Sequence, residues 1–294
     1  AICGMIGTGR NVCWQNPLIC YAGFGSPNMG FGFLSGDCCM VPRTSLAFCV
    51  CGDLPVVDAS QFNKERWDHP EYQYPEVVLI WGNDVIKSNG DGFLGHWIVD
   101  MMTQGDTKLI VVDPDLTWLA SRADIWIQPR PGVDSAIAMA MTNVIIQEDL
   151  YDHDFVENWC YGFDELKERA AEYPLDKVEE ITGVPGEKAE EAVRVWTTRV
   201  DPRHGNGGIH FQLATDQNGN SIQNCRVLQM LSCVTGNSDE PAGNRGSCKS
   251  QFDGNPGRSN MQKAAPWGDA AKVWPGRDYS LEEVAKHMQD FVQY

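Results

Sequence analysis

Short apolar runs alternate with amphipathic stretches through the middle of the chain. Residues 76–82 (EVVLIWG), 108–114 (KLIVVDP) and 124–131 (DIWIQPRP) are apolar runs that end in Gly or Pro. Such runs are typical of strands buried on both faces of a sheet. Helical spacing over 93–104 separates the first two runs. This alternation predicts an α/β fold with a doubly wound, mostly parallel sheet.

Apolar residues three and four positions apart predict further helices in the second half of the chain. One begins at Asp134, whose carboxylate we expect to cap it. Residues 205–220 (GNGGIHFQLATDQNGN) are predicted to form a strand and a polar loop. A helix over 221–233 follows, with Ile222, Cys225 and Leu228 directed inward. A last helix is predicted over 280–292. The expected buried stripes comprise Ala136, Ile137, Ala140, Met141, Val144, Ile145, Ala189, Ala192, Val193 and Trp196.

Composition and charge restrict the class of protein. The 294 residues, 43% of them hydrophobic, are enough for one large or two modest domains. A glycine-rich segment over 1–36, an α/β domain over 37–236 and a glycine-rich loop with a partial C-terminal segment over 237–294 are predicted. The net charge of −17 argues against nucleic acid and anionic membrane surfaces as partners. The sequence contains no run of 18 or more apolar residues, so no membrane span is predicted.

The 11 cysteines match neither a zinc motif nor a compact iron–sulfur motif. An odd number in a chain with a large core favours reduced thiols in a cytoplasmic or anaerobic setting, with an exported holoenzyme left open. No signal peptide is visible at the start of this sequence. The cysteines expected to be ordinary core thiols are Cys49, Cys51, Cys160, Cys225 and Cys233.

Small and acidic residues follow the predicted strands. Gly82 permits close approach of a ligand to the backbone, and Asn83 offers a donor and an acceptor. Asp113 and Asp134 are acceptors for ribose hydroxyls or for the amino and imino groups of guanine, and Gly132 permits a tight turn. Each residue alone also fits an ordinary turn or helix cap. Together they predict a nucleotide site at the carboxyl ends of the strands.

The order of these motifs resembles the molybdopterin oxidoreductases of the DMSO reductase superfamily, which carry molybdenum or tungsten on two pterin guanine dinucleotides. The matching motifs are Trp81-Gly82-Asn83, Asp113-Pro114 and Pro131-Gly132-Val133-Asp134. Asp84 and Asp115 depart from the Pro and Arg that many members have there. The resemblance implies cofactor contacts by Gly9, Asn28, Trp81, Gly82, Asn83, Asp113, Pro114, Arg130, Gly132, Asp134, Gly208, Thr235, Gly236 and Asn237.

The resemblance also implies a metal ligand. Cys39 stands three residues before Pro42, which matches the family's Cys-x-x-Pro-like loop, and a thiolate is a soft donor suited to molybdenum or tungsten. Cys38 is the reserve candidate, and a buried structural cysteine is the alternative. Formate dehydrogenases of the family have His directly after the ligand. Met40 in that position argues against formate oxidation.

Histidine chemistry is less clearly indicated. His210 lies in a predicted strand of the site, whereas His69 and His153 stand in polar surroundings and are expected to be exposed. None is assigned a catalytic role.

Residues 150–183 resemble members related to acetylene hydratase and to dehydroxylating or hydroxyl-transferring enzymes, and the resemblance extends over about 5–247. It implies an internal fragment of a catalytic subunit, with a [4Fe-4S] cluster in a missing N-terminal domain. The implied partners are a small-molecule substrate and an iron–sulfur electron-transfer subunit.

Three functions stay open at this point. The first is oxygen or hydroxyl transfer to or from a small molecule, aromatic compounds included, by a molybdenum or tungsten enzyme, for example reductive dehydroxylation. The second is a non-redox hydratase that uses the metal as a Lewis acid. The third is a non-catalytic scaffold or electron-transfer subunit that retains the fold without the metal.

Overall fold

The chain divides into two compact units, Ala1–Asp37 with Cys248–Tyr294, and Cys38–Ser247. In the first unit, strands β1 (Gly4–Ile6) and β2 (Met29–Phe31) pair in parallel. The helix predicted over 280–292 lies outside the described residues. The computed structural model describes residues 4–6, 29–31, 42–43, 46, 56–57, 74–88, 93–197, 207–211, 214–238, 240 and 242–245.

The second unit contains the parallel sheet and the helices that cover it. Its described strands are β3 (Val56–Val57), β4 (Val77–Trp81), β5 (Lys108–Val112), β6 (Ile125–Ile127), β7 (Ile209–Phe211) and β8 (Asn244–Arg245). Its described helices are α1 (Val85–Ser88), α2 (Phe93–Gln104), α3 (Asp134–Gln147), α4 (His153–Trp159), α5 (Phe163–Ala170), α6 (Leu175–Thr182), α7 (Gly186–Thr197) and α8 (Ser221–Val234). None of these helices is long and apolar enough to cross a membrane.

Four strands form one parallel sheet in the order β6-β5-β4-β7. Successive side chains of β4 point to opposite faces, as the period of a strand requires. Leu79 and Trp81 join the apolar cluster that contains α3, whereas Val78 and Ile80 join the cluster that contains Ile98 of α2. Helices therefore cover both faces, and the predicted doubly wound α/β fold is confirmed. Strands β3 and β8 form a separate antiparallel pair.

Helix α3 is the centre of one helical layer. It packs against α5, α6, α7 and α8, which leaves almost none of its surface to solvent. All six apolar residues predicted for its inner face are buried. Ala138 and Thr142, which lie between them, are buried as well. The stripe predicted for α7 is also buried, with Trp196 fully enclosed.

The inward orientation predicted for Ile222 is wrong. Cys225 and Leu228 of α8 are fully buried, but Ile222 is 51% exposed. It lies in the first turn of α8, where residues 219–223 are all exposed or half-exposed. The first turn of α8 lies outside the apolar core. The periodicity therefore identifies the buried face of the helix correctly, but it does not show where along the helix the core ends.

We expect Ile137→Ala in α3 to lower the free energy of unfolding by about 2–5 kcal/mol, because it leaves a cavity in a packed layer. The matched control is Ile222→Ala, which removes the same atoms from an exposed site and should change that free energy by no more than about 0.5 kcal/mol. Urea denaturation measures both values. Equal losses in the two variants would contradict this assignment of the core.

Candidate functional site

The carboxyl ends of the parallel strands bring the predicted strand-end residues to one edge of the sheet. Gly82 follows β4, and its N–H donates to the carbonyl of Val112 (2.8 Å). Asp113 follows β5, and its N–H donates to the carbonyl of Ile127 at the end of β6 (3.1 Å). Helix α3 begins near the same edge at Asp134. The predicted clustering of Gly82, Asp113 and Asp134 is therefore confirmed.

Asp134 is linked to β4 through a buried hydrogen bond. The indole Nε1 of Trp81 donates to Asp134 Oδ1 (2.7 Å), and the amide of Asn224 in α8 lies 3.5 Å from Oδ2. Burial raises the pKa of the Asp134 carboxyl, while the bond from Trp81 acts in the opposite direction. The prediction that Asp134 caps α3 is wrong. Val133 is the N-cap residue, and the Asp134 carboxylate binds the indole instead.

Gly82 adopts a backbone conformation that favours glycine. Its φ is +57°, and a Cβ at this position would lie 2.8 Å from the Cβ of Ala214. Either feature alone disfavours a larger residue. Packing against Ala214 thus accounts for glycine here, in addition to any approach of a nucleotide.

The strand order reverses between β4 and β7, and such switch points are where open α/β sheets bind ligands. Asn83 follows β4, and its Nδ2 lies 2.7 Å from Nε2 of His210 in β7. The Asn83 Oδ1 accepts from the Ser88 hydroxyl (3.2 Å). His210 is 3% exposed. Burial, with a smaller contribution from Arg43, lowers the pKa of His210 to about 4. The imidazole is therefore neutral, and its Nε2 accepts from the Asn83 amide.

Carboxylates define the part of the edge beside β5. Asp113 Oδ1 accepts from the N–H of Asp115 (2.8 Å). Burial raises the pKa of the Asp113 carboxyl, the bond from the Asp115 N–H lowers it, and the charges of Asp115 and Asp84 raise it further. Gly132, with φ +85°, has open space where a side chain would be. A carboxylate such as that of Asp113 can accept from hydroxyl and amino donors.

Arg130 and Pro114 have protein partners in this region. Arg130 Nη1 donates to the carbonyls of Glu180 (2.9 Å) and Ile181 (3.2 Å) near the end of α6. The Pro114 carbonyl accepts from Gln128 (2.9 Å). These contacts fix the loops around the edge. The predicted role of Arg130 and Pro114 in cofactor binding stays a prediction.

Four other predicted cofactor residues lie at the opposite, amino edge of the sheet. The Gly208 carbonyl accepts from the N–H of Leu79 (3.0 Å), next to the start of β7. Asn237 Oδ1 accepts from the N–H of Gly207 (3.1 Å), and its amide donates to Thr235 (2.8 Å). Gly236 lies between these two residues in the same buried turn. The structure therefore does not bring these four residues together with Asp113 and Asp134.

Several predicted site residues lie outside the described part of the chain: Gly9, Asn28, Cys38 and Cys39, together with His69, Cys49 and Cys51. The exposure predicted for the side chain of His153 is confirmed at 62%. Cys225 is a buried thiol, whereas Cys160 and Cys233 are half-buried. Among the described residues, no group of three His, Cys, Asp or Glu side chains is arranged to hold a metal ion.

A buried ion pair beside this edge is not predicted by the sequence analysis. Arg43 Nη1 lies 3.2 Å from Asp216 Oδ2, and the Asp216 side chain is fully buried. Asp216 Oδ1 accepts from the Cys225 thiol (3.0 Å). Asp216 belongs to the loop after the fourth strand, so the rule that locates strand-end acids would have found it. Arg43 is 173 residues away and could be paired with it only through the fold.

The burial of His210 predicts a pH-dependent stability. The unfolded chain takes up a proton near pH 6.5, whereas the folded imidazole resists protonation to about 4. The free energy of unfolding of the wild-type protein should therefore fall by roughly 3 kcal/mol between pH 7 and pH 4 because of this group alone. His210→Gln should remove that part of the pH dependence in urea denaturation, and the exposed control His153→Gln should retain it. Identical pH profiles for His210→Gln and wild type would contradict a buried neutral histidine.

Comparison with known proteins finds a family and a solved structure to which this chain is similar. The profile described as molybdopterin oxidoreductase matches residues 23–280. The solved structure of acetylene hydratase from Pelobacter acetylenicus superimposes with a TM-score of 0.63 at 30% identity, over 81% of this chain and 30% of that one.

The curated relatives are each matched over only a part of their own length. Acetylene hydratase of Syntrophotalea acetylenica is 46% identical over 44% of this chain and 17% of its own. Dopamine dehydroxylase of Eggerthella lenta is 39% identical over 38% and 11%. The alpha subunit of F420-dependent formate dehydrogenase 2 from Methanococcus maripaludis is 30% identical over 68% and 28%. The chain thus spans less than a third of the length of each of these relatives. Because the family profile matches residues 23–280, the chain belongs to the molybdopterin oxidoreductase family of enzymes.

Proposed function

We propose that this chain supplies the metal-ligand loop and most of one guanine-dinucleotide site in the catalytic subunit of a molybdenum or tungsten bis-pterin enzyme. One observation carries the proposal. The loops after β4, β5 and β6 follow the carboxyl ends of parallel strands and carry Asp113 and, at the start of α3, Asp134, and the space where a side chain would stand at Gly132 is open. That edge has the acceptors that a guanosine requires and lies at the carboxyl ends of parallel strands.

The proposed contacts divide between sugar and base. The Asp113 carboxylate would accept from ribose hydroxyls or from the base, and the backbone at Gly132 would permit close approach of the nucleotide. Asp134 already accepts from Trp81, but a carboxylate has about four lone-pair sites and retains capacity for guanine. Asn83, held between Ser88 and His210, would orient its remaining amide donor.

Cys39 is the proposed metal ligand because its thiolate suits a soft metal and because it precedes Pro42 at the spacing of the family's ligand loop. When bound, the metal on its pterins supplies redox or Lewis-acid chemistry to the site. The chain's own residues hold and orient that group. A [4Fe-4S] cluster and an iron–sulfur partner would deliver electrons in the whole enzyme.

Reductive removal of a hydroxyl group is the reaction we favour. It consumes two electrons and two protons and releases water, whereas hydration adds water with no electron donor. Acetylene hydratase and dopamine dehydroxylase are both among the relatives, so hydration is the second candidate. Met40 after the proposed ligand, in place of a histidine, is the sequence feature that argues against formate oxidation.

We expect Asp134→Ala in the full-length enzyme to weaken cofactor retention by about 1.5–3 kcal/mol, because a charge-assisted hydrogen bond is lost. The matched control is Asp152→Ala. It removes the cap at the N-terminus of α4, where Asp152 accepts from the N–H of Phe155 (2.8 Å). That variant should lose about 1 kcal/mol of stability and keep its cofactor. Pterin content per folded protein measures the difference. Full retention in Asp134→Ala with a lower melting temperature would indicate a purely structural role.

The reaction class can be tested with anaerobically prepared full-length enzyme and reduced methyl viologen. We expect a catechol compound to cause viologen oxidation, whereas acetylene should give no product in the absence of electrons. Cys39→Ala should abolish turnover and retain most of the pterin, because the pterin sulfurs hold the metal independently. A metal-free protein would favour a scaffold subunit, and full activity of Cys39→Ala would move the ligand assignment to Cys38.

A further inference from the structure

Trp81 is the buried residue that connects the sheet to the carboxylate of Asp134. It is the last residue of β4, and its side chain lies in the apolar cluster that contains α3. None of its surface is exposed, yet its indole Nε1 donates to Asp134 Oδ1 at 2.7 Å. Because the indole has no exposed surface, it can influence a ligand at the edge only through Asp134.

The Asp134 carboxylate has side-chain donors on two sides. Trp81 donates to Oδ1, and the Asn224 amide of α8 lies 3.5 Å from Oδ2. Asn224 is itself fully buried, and its Oδ1 accepts from the N–H of Ser135 (3.1 Å) at the start of α3. The indole is the closer of the two donors, and the long contact to Asn224 cannot replace it.

Burial and the indole have opposite effects on the ionisation of Asp134. Burial raises the pKa of the carboxyl, whereas the hydrogen bonds from Trp81 and from its own N–H lower it. Removal of the indole N–H should therefore raise this pKa further, because a hydrogen bond to the charged form is lost.

The other titratable groups around α3 leave this balance unchanged. Those of the neighbouring strand, loop and helix α8 are His210, Cys225 and the ion pair of Arg43 with Asp216. The charged side chains of α5, α6 and α7 are exposed, apart from the half-exposed Glu190. Among the described residues, no charged side chain contributes to the pKa of Asp134.

The ionisation of Asp134 decides which ligand groups it can accept from. Guanine presents an imino N–H and an amino N–H side by side, and an ionised carboxylate has acceptor capacity for both. Protonation would turn one carboxylate oxygen into an O–H donor and would set donor against donor.

We propose that Trp81 is a positioning residue, whose indole N–H holds the Asp134 carboxylate in the orientation and ionised form that the two N–H donors of guanine require. The inference rests on the proposed function, because it assumes that Asp134 contacts guanine. A Trp81 that only fills the core would change the stability of the protein, but not the pH at which the folded protein releases guanine.

The test uses the full-length holoenzyme, washed between about pH 5 and pH 8, with the retained guanine measured by chromatography per folded protein. Trp81→Phe removes the N–H and keeps an aromatic ring. We expect the pH at which half of the guanine is lost to rise by about one unit or more relative to wild type. If Trp81→Phe does not accumulate as folded holoenzyme, Trp81→3-benzothienylalanine gives the same measurement, because its sulfur replaces the N–H in a ring system of nearly the same shape.

The matched control is Trp196→Phe. Trp196 is also fully buried, and its Nε1 donates to the carbonyl of Gly207 (3.0 Å), so the control loses an equivalent bond away from Asp134. Its release midpoint should equal that of wild type. A wild-type enzyme without guanine would refute the proposed function. Guanine in the wild type with an unchanged midpoint in the Trp81 variant, or an equal shift in Trp196→Phe, would overturn only the positioning role.

Discussion

Parallel pairing of β4 with β5 and β7 is the constraint on which the rest of the domain depends. Parallel strands end at the same edge, so their pairing alone brings residues from distant parts of the sequence together. It also requires a helix or loop crossover between strands, which is why helices cover both faces and β4 is wholly buried. The strand order reverses beside β4, and there the Asn83 amide pairs with His210 of β7.

Polar groups at this edge form hydrogen bonds with one another within the protein. Trp81 donates to Asp134, and Asn83 pairs with a neutral histidine. The Asn224 side chain accepts from the N–H of Ser135 and lies 3.5 Å from the Asp134 carboxylate. Each bond satisfies a group that burial would otherwise penalise. The edge is thereby pre-organised, with fixed acceptors and little freedom to rearrange, and this property suits a large cofactor that is retained through turnover.

The periodicity and strand-end chemistry of the sequence were sufficient for the elements, the fold class and the cluster of Gly82, Asp113 and Asp134. They fail where contacts between distant parts of the chain override a local pattern such as a helix cap or a helical period. The local sequence predicts that Asp134 caps a helix, and it cannot show the competing indole donor of Trp81, which stands 53 residues away. Ile222 satisfied the helical period, but no local signal indicates that the core ends before the first turn of α8. The pairing of Arg43 with Asp216 is equally invisible without the fold.

We propose that the carboxyl edge of this sheet holds the guanosine of a pterin dinucleotide. The structure of the full-length, cofactor-loaded enzyme would test this directly. We expect guanosine hydroxyl or amino groups within hydrogen-bond distance, about 2.7–3.2 Å, of the Asp113 or Asp134 carboxylate. Guanosine density bound elsewhere on the domain, with both carboxylates facing only protein or solvent, would contradict it.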